Sequence, residues 1–101
     1  MSNADVVIDE KIKIEIKEPN NYKVIFLNDD FTPMDFVVGL LVEIFRHTEQ
    51  TAHDITLAIH NEGSGVVGEY TYEVAEQKAL EASSLCKQNG FPLQIRLEEN
   101  K

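Results

Sequence analysis

The sequence of 101 residues offers little with which to build a disulfide, a metal site or a membrane span. It contains a single cysteine, Cys86, so no disulfide can form within the chain. Neither a Cys-x-x-Cys nor a His-Glu-x-x-His pattern occurs, so no structural zinc is expected. No apolar run approaches the ~20 residues of a membrane span, and the acidic start does not have the pattern of a secretory signal. We therefore predict a protein of the cytoplasm or of another reducing compartment, without metal or cofactor, in which Cys86 is a small buried apolar residue.

Basic residues are also scarce. The chain has 9 Lys and Arg against 18 Asp and Glu, for a net charge of −9, and its basic residues form no stripe. Proteins that bind nucleic acid or anionic membranes need clustered positive charge, so both classes of partner are disfavoured. A cationic ligand or a basic protein surface suits this field better.

The length predicts one domain, with a flexible N-terminal extension over residues 1 to 20 and a core over residues 21 to 101. Residues 11 to 17 alternate apolar and charged side chains, which is the period of a strand. The Pro19-Asn20-Asn21 break follows. This segment is interpreted either as a mobile tail or as an edge strand or segment that orders on a partner.

Periodicity divides the core into six elements. Strands are predicted at 22–27, 66–70 and 93–97, and helices at 34–45, from Thr48 to about Asn61, and at 72–88. The predicted fold is α+β, in which a three-stranded antiparallel sheet carries three helices on one face in the order β-α-α-β-α-β.

Local signals place the helix ends and inner faces. Thr32 is predicted to cap the first helix, with Pro33 at its first position and Asp35 completing a capping box. The third helix is predicted to begin after a Thr71 cap. Its expected inner face comprises Val74, Ala75, Ala79, Ala82, Leu85 and Cys86. Two histidines, His47 and His53, are expected in solvent.

A dense polar cluster, Asn28-Asp29-Asp30, lies between the first strand and the first helix. Adjacent side chains on an extended chain point in different directions, so only one of the two carboxylates is expected to face a ligand together with Asn28. His60, at the end of the second helix, is a further candidate for the same site. An amide, a carboxylate and a neutral imidazole that converge form a receptor for an ammonium group.

Simpler explanations compete with this site. Asn-Asp-Asp after a strand is also a good turn and helix-entry sequence, and a histidine at a helix end can serve the helix dipole. An enzyme that uses Asp29, Asp30 and His60 as acid–base groups is a further possibility, although no nucleophile, triad or metal signature accompanies them.

The segment from Tyr22 to Val37, with its Asn-Asp-Asp-Phe-Thr-Pro-Met block, closely resembles the ClpS family of protease adaptors. So do Ala58-Ile59-His60, Gly63-Ser64-Gly65, the segment Gly68 to Lys78 and the ending Phe91-Pro92-Leu93. The resemblance covers residues 21 to 98 in order, and its motifs are specific enough to favour a binding site over a plain turn.

The resemblance implies a non-enzymatic adaptor of the N-end rule pathway. Such adaptors bind proteins whose first residue is Leu, Phe, Tyr or Trp and deliver them to the AAA+ unfoldase ClpA of the ClpAP protease, or to a ClpC-type unfoldase. By this resemblance Asn28, Asp30 and His60 would bind the α-amino group, with Asp29 along the peptide. The side-chain pocket would be formed by Thr32, Met34, Val37, Thr56, Ile59 and Leu93. Glu73 and Lys78 would dock on the unfoldase N-terminal domain, and the N-terminal extension would take part in delivery.

One position departs from the family pattern. Thr56 stands where well-characterised members resemble one another in having Met, and we therefore expect a reshaped pocket with an altered ranking of first residues. The alternative function is a protein-interaction domain of similar shape that does not recognise the amino terminus. The C-terminal domain of the ribosomal stalk protein is similar in architecture, but would not need Asn28, Asp30 and His60 together.

Overall fold

A computed structural model describes residues 20–101. The elements are β1 (Tyr22–Leu27), α1 (Met34–Glu43), α2 (Glu49–Glu62), β2 (Ser64–Tyr70), α3 (Tyr72–Gln88) and β3 (Gln94–Glu99). The predicted α+β class and the β-α-α-β-α-β order are confirmed. The predicted extension, residues 1 to 20, lies outside the described residues except for Asn20.

The sheet has the order β2-β1-β3, and both pairings are antiparallel. Strand β1 is central, so each of its residues from Tyr22 to Leu27 has a partner on both sides. Its side chains alternate between the two faces, and Val24 and Phe26 are fully buried against the helices. Leu27 therefore faces the opposite side of the sheet from Phe26.

The core lies between the sheet and the three helices. Its largest fully buried side chains are Phe26, Leu41, Val24, Val67 and Cys86. Burial raises the pKa of the Cys86 thiol, and the negative charge of Asp29 raises it further. Cys86 is thus the small buried apolar residue that its sequence context predicted.

Helix α2 packs closely on β2 because of a glycine. A Cβ atom added to Gly65 would lie 2.8 Å from Cγ1 of Ile59, so only glycine allows this approach without a shift. At the end of α2, Gly63 adopts a φ of 95°, a left-handed conformation that ends the helix. Strand β2 begins at Ser64, directly after this residue and two positions before its predicted start.

The loop between α1 and α2 is attached to the rest of the fold by two side chains. Lys78 of α3 donates to the carbonyl of Ile44 at 2.7 Å, and its ammonium lies 5.3 Å from the centre of the Tyr70 ring. His47 contacts the carbonyl of Val67 at 2.6 Å, next to an irregularity in the β1–β2 pairing. The expectation that His47 lies in solvent is wrong, because its ring is half-buried and fills this hydrogen-bonding position.

Some local predictions fail at helix ends and faces. Helix α1 ends at Glu43, two residues before the predicted end, and Arg46 then adopts a φ of 64°. On α3, Ala75, Ala82 and Cys86 are buried as expected, but Val74 and Leu85 are 42% and 38% exposed. The buried face of α3 is therefore narrower than its sequence pattern predicted.

Candidate functional site

Asp29 organises the loop between β1 and α1. Its Oδ1 atom accepts hydrogen bonds from the backbone amides of Phe31 and Thr32, both at 2.8 Å. Its Oδ2 atom accepts from the Thr32 hydroxyl, also at 2.8 Å. This is the turn that a carboxylate after a strand favours, and it fixes the backbone that carries Asn28 and Asp30.

The same hydrogen bonds correct the predicted helix start. The N-cap of α1 is Pro33, and no side chain caps the helix. Thr32 precedes the N-cap position, and its hydroxyl donates to Asp29 and accepts no hydrogen bond from the helix. The predicted capping box of Thr32 with Asp35 is therefore wrong, although Met34 does begin the helix.

Hydrogen bonding also sets the ionisation of Asp29. Burial raises the pKa of this carboxyl, but the hydrogen bonds from Thr32 and Phe31 outweigh burial and hold its pKa below the ordinary value. Asp29 is therefore a charged group whose oxygens are engaged within the loop. The neighbouring Asp30 is exposed.

A backbone hydrogen bond brings the polar loop to the end of α2. The amide of Asn28 donates to the carbonyl of Gly63 at 2.9 Å. His60 lies on the last turn of α2, three residues before Gly63, and both Asn28 and His60 are exposed. Two residues that are 32 positions apart in the chain thus lie on segments joined by one hydrogen bond.

The six residues predicted to form an apolar pocket differ in burial. Val37, Ile59 and Leu93 are buried in one core cluster, and Thr56 is 4% exposed. Thr32 is half-buried and Met34 is 40% exposed. The set therefore includes buried, half-buried and exposed side chains.

Thr56 is a polar residue whose hydroxyl is hydrogen-bonded within its own helix. Its hydroxyl donates to the carbonyl of Ala52, one turn earlier in α2, at 2.8 Å. The hydrogen bond satisfies the hydroxyl, so the methyl group is left for apolar contact. In this setting Thr56 acts as a short apolar side chain.

A cleft of about 320 Å³ opens beside the loop. It is lined by Leu27, Asn28, Asp29, Phe31, Pro92 and Gln94. Only Asn28 and Asp29 belong to the predicted site residues. The sequence analysis did not single out Phe31, Pro92 or Gln94, although an aromatic residue within a polar block was a signal that could have drawn attention to Phe31.

The two predicted docking residues lie on α3 in different environments. Glu73 is exposed in the first turn of the helix. Lys78 is half-buried, and its ammonium is engaged by the Ile44 carbonyl and the Tyr70 ring. A substitution of Lys78 would therefore disturb the fold as well as any docking surface.

Within residues 20–101, no three His, Cys, Asp or Glu side chains are grouped so that they could hold a metal ion. No helix in this described part of the chain is long and apolar enough to cross a membrane.

Residues 17–96 match the model of the family described as "ATP-dependent Clp protease adaptor protein ClpS". The chain is 45% identical over 96 residues to the ATP-dependent Clp protease adapter protein ClpS of Helicobacter hepaticus, which covers 95% of this chain and 97% of that protein. It is 46% identical over 92 residues to ClpS of Shewanella halifaxensis, with 91% and 90% covered. These relatives are named as adaptors, so the chain is an adaptor and not an enzyme.

A solved structure agrees with the fold. The structure of Agrobacterium tumefaciens ClpS2 bound to L-phenylalaninamide matches with a TM-score of 0.79 and 42% identity. The match covers 82% of this chain and all of that one. The resemblance recognised in the sequence is thereby confirmed.

Replacing Asp29 by Asn tests the role of its carboxylate in the loop. Asn keeps one acceptor oxygen but loses the second, so we expect the free energy of unfolding to fall by about 1 kcal/mol at neutral pH. Because the pKa of Asp29 is lower in the folded than in the unfolded chain, its stabilisation is complete above the unfolded pKa. It is lost as the pH falls through the folded pKa, so the difference between the two proteins should shrink there.

Urea unfolding of both proteins between roughly pH 7 and pH 2 measures this difference. Asp30→Asn is the matched control, because Asp30 is exposed; it should change stability by less than about 0.5 kcal/mol. A difference for Asp29→Asn that does not depend on pH would show that its carboxylate does not stabilise the loop.

Proposed function

Because the chain belongs to the ClpS family and is an adaptor of the Clp protease, we propose that it selects substrates by their first residue. The preferred first residues are large and hydrophobic, namely Leu, Phe, Tyr and Trp. One observation carries the proposal: the hydrogen bond from the Asn28 amide to the Gly63 carbonyl joins the polar loop to the turn of α2 that bears His60. The ClpS2 structure supports it, since L-phenylalaninamide has both a free α-amino group and a large apolar side chain.

The α-amino group is bound by Asn28, Asp30 and His60. The side chains of Asn28 and Asp30 accept hydrogen bonds from the ammonium, and a neutral His60 nitrogen accepts a third. All three residues are exposed and can reach a ligand from solvent. Asp29 holds the loop and lies along the peptide, while the net charge of −9 favours the approach of a cation.

The first side chain enters between α1 and α2. The buried residues Val37, Ile59 and Leu93 supply apolar surface, and Thr32 and Met34 lie nearer the opening. Burial of a large apolar side chain contributes roughly 1.5–3 kcal/mol to binding, which explains a preference for Leu and the aromatic residues. Met34 is unbranched and can adapt to side chains of different shape.

Recognition of the α-amino group makes binding selective for the N-terminus of a substrate protein. An internal residue of a protein has no ammonium group, so its binding would leave the polar receptor without its partner. The apolar pocket alone would discriminate between similar side chains by only ~1–3 kcal/mol per methylene.

Acetylation of the substrate amine tests this proposal. A labelled peptide that begins with Phe should lose binding by roughly 100-fold or more when acetylated, because it loses both the charge and hydrogen-bond donors. Asn28→Ala and His60→Ala should each weaken binding of the free peptide by about tenfold or more. Fluorescence anisotropy gives the Kd values.

His53→Ala is the matched control, since His53 is an exposed histidine on the same helix, two turns before His60. It should leave the Kd unchanged. Equal binding of the free and acetylated peptides would instead favour a general interaction domain without amine recognition.

Thr56 is proposed to change the shape of the pocket for the first side chain. With its hydroxyl bonded to Ala52, Thr56 presents a shorter side chain than the Met that the family resemblance leads one to expect. The space next to a short side chain accommodates a branch at Cβ, so we propose that Ile and Val are tolerated as first residues.

Thr56→Met should reverse this tolerance. We expect the Kd of an Ile-initiated peptide to rise by about tenfold, and that of a Leu-initiated peptide to change by less than about threefold. Anisotropy titrations of the two peptides with both proteins measure the ratio. A strong rejection of Ile by the unchanged protein would contradict the proposal.

Substrate delivery is proposed to use α3. The exposed Glu73 and the half-buried Lys78, five residues later on the same helix, are proposed to contact the N-terminal domain of ClpA or of a ClpC-type unfoldase. Residues 1 to 20 are proposed to take part in the transfer. We also propose a cytoplasmic location, with which the buried thiol of Cys86 agrees.

Glu73→Lys tests the docking surface without disturbing the core. The charge reversal should weaken binding to the unfoldase N-terminal domain by about tenfold or more, with no change in peptide affinity. Glu81→Lys makes the same charge change at another exposed position of α3 and should have little effect. Calorimetric titration with the isolated N-terminal domains of ClpA and of a ClpC-type unfoldase measures these affinities and identifies the partner. If Glu73→Lys binds the unfoldase domain as tightly as the unchanged protein, the interface lies elsewhere.

A further inference from the structure

The cleft beside the loop is separate from the apolar pocket assigned to the first residue. Three of its lining residues, Leu27, Phe31 and Pro92, are apolar, and Asn28 and Asp29 connect it to the amine site. We propose that this cleft receives the side chain of the second residue of the bound substrate, and that it prefers a large apolar or aromatic side chain. The inference rests on the proposed function and adds a second determinant to it.

The alternation of the sheet places the two binding regions on opposite sides. Leu93 is buried towards the helices, whereas the next residue, Gln94, lines the cleft. Phe26 and Leu27 alternate in the same way, and Leu27 pairs with Gln94 across the sheet. The cleft therefore begins on the face of the sheet that carries no helices. The proposed first-residue pocket begins at the same end of the sheet, on the face that the helices cover.

An extended substrate fits this arrangement. Successive side chains of an extended chain point to opposite sides, and consecutive Cα atoms lie about 3.8 Å apart. When the first side chain enters between the helices and its amine is held by Asn28, the second side chain points away from the helices. Asn28 and Asp29 line the cleft, so the second side chain meets it within one residue of the amine.

Phe31 is the main contact that the cleft offers. Its side chain is 76% exposed, although its backbone amide is held by Asp29 at 2.8 Å. A large aromatic side chain on a fixed loop loses little conformational freedom when a ligand covers it. Apolar groups of the second residue would be buried against Phe31, Leu27 and Pro92.

Two peptides that differ only at their second residue test the proposal. A Phe-Leu peptide should bind the unchanged protein roughly fivefold more tightly than the matching Phe-Ala peptide, because the open cleft buries only part of the leucine. Phe31→Ala should reduce this ratio to about one. L-Phenylalaninamide has no second side chain, so its Kd should change less than about twofold with Phe31→Ala.

Leu80→Ala is the matched control, because Leu80 is a 65% exposed apolar side chain on α3 outside the lining of the cleft. It should preserve the fivefold ratio, and Phe31→Leu should preserve most of it. A ratio near one in the unchanged protein, or a ratio that survives Phe31→Ala, would overturn the inference while leaving first-residue recognition intact. Failure of L-phenylalaninamide to bind the unchanged protein would instead refute the proposed function and the inference together.

Discussion

The structure depends on the pairing of β1 along its full length with β2 and β3. A central strand with two partners has no freedom to shift, because a shift of one residue would exchange the buried Val24 and Phe26 for side chains of the other face. The position where β1 ends is therefore fixed within the sheet. Asn28 follows that end, and the start of β2 lies beside it, so the hydrogen bond to Gly63 follows from the same register.

The polar loop places the structural carboxylate of Asp29 next to Asp30, the carboxylate that we propose binds the ligand. Both carboxylate oxygens of Asp29 accept hydrogen bonds from groups within the loop. A turn and a binding site were therefore both reasonable interpretations of Asn-Asp-Asp. Its neighbour Asp30 is exposed, so one carboxylate holds the backbone while the other is accessible to the proposed ligand.

Lys78 lies on α3, the proposed docking helix, and contacts the loop between α1 and α2, the two helices of the proposed pocket. Its ammonium binds the Ile44 carbonyl just after α1, the helix that also carries Val37. It lies over Tyr70 at the same time, so the loop between α1 and α2 is held against β2 and α3. The two proposed functions of the adaptor, substrate binding and docking, thus share one small rigid core.

The sequence by itself determined the elements, their order and the family, because periodicity, turn residues and motif spacing are local properties of the chain. It located Tyr22–Leu27 and Tyr72–Gln88 with their observed bounds. It did not determine that Thr32 would leave the helix cap for Asp29, that Val74 and Leu85 would be exposed, or that Phe31 would border a cleft. Those outcomes were decided by the tertiary structure, since hydrogen-bond competition, burial and clefts depend on groups that only the folded sheet and helices bring together.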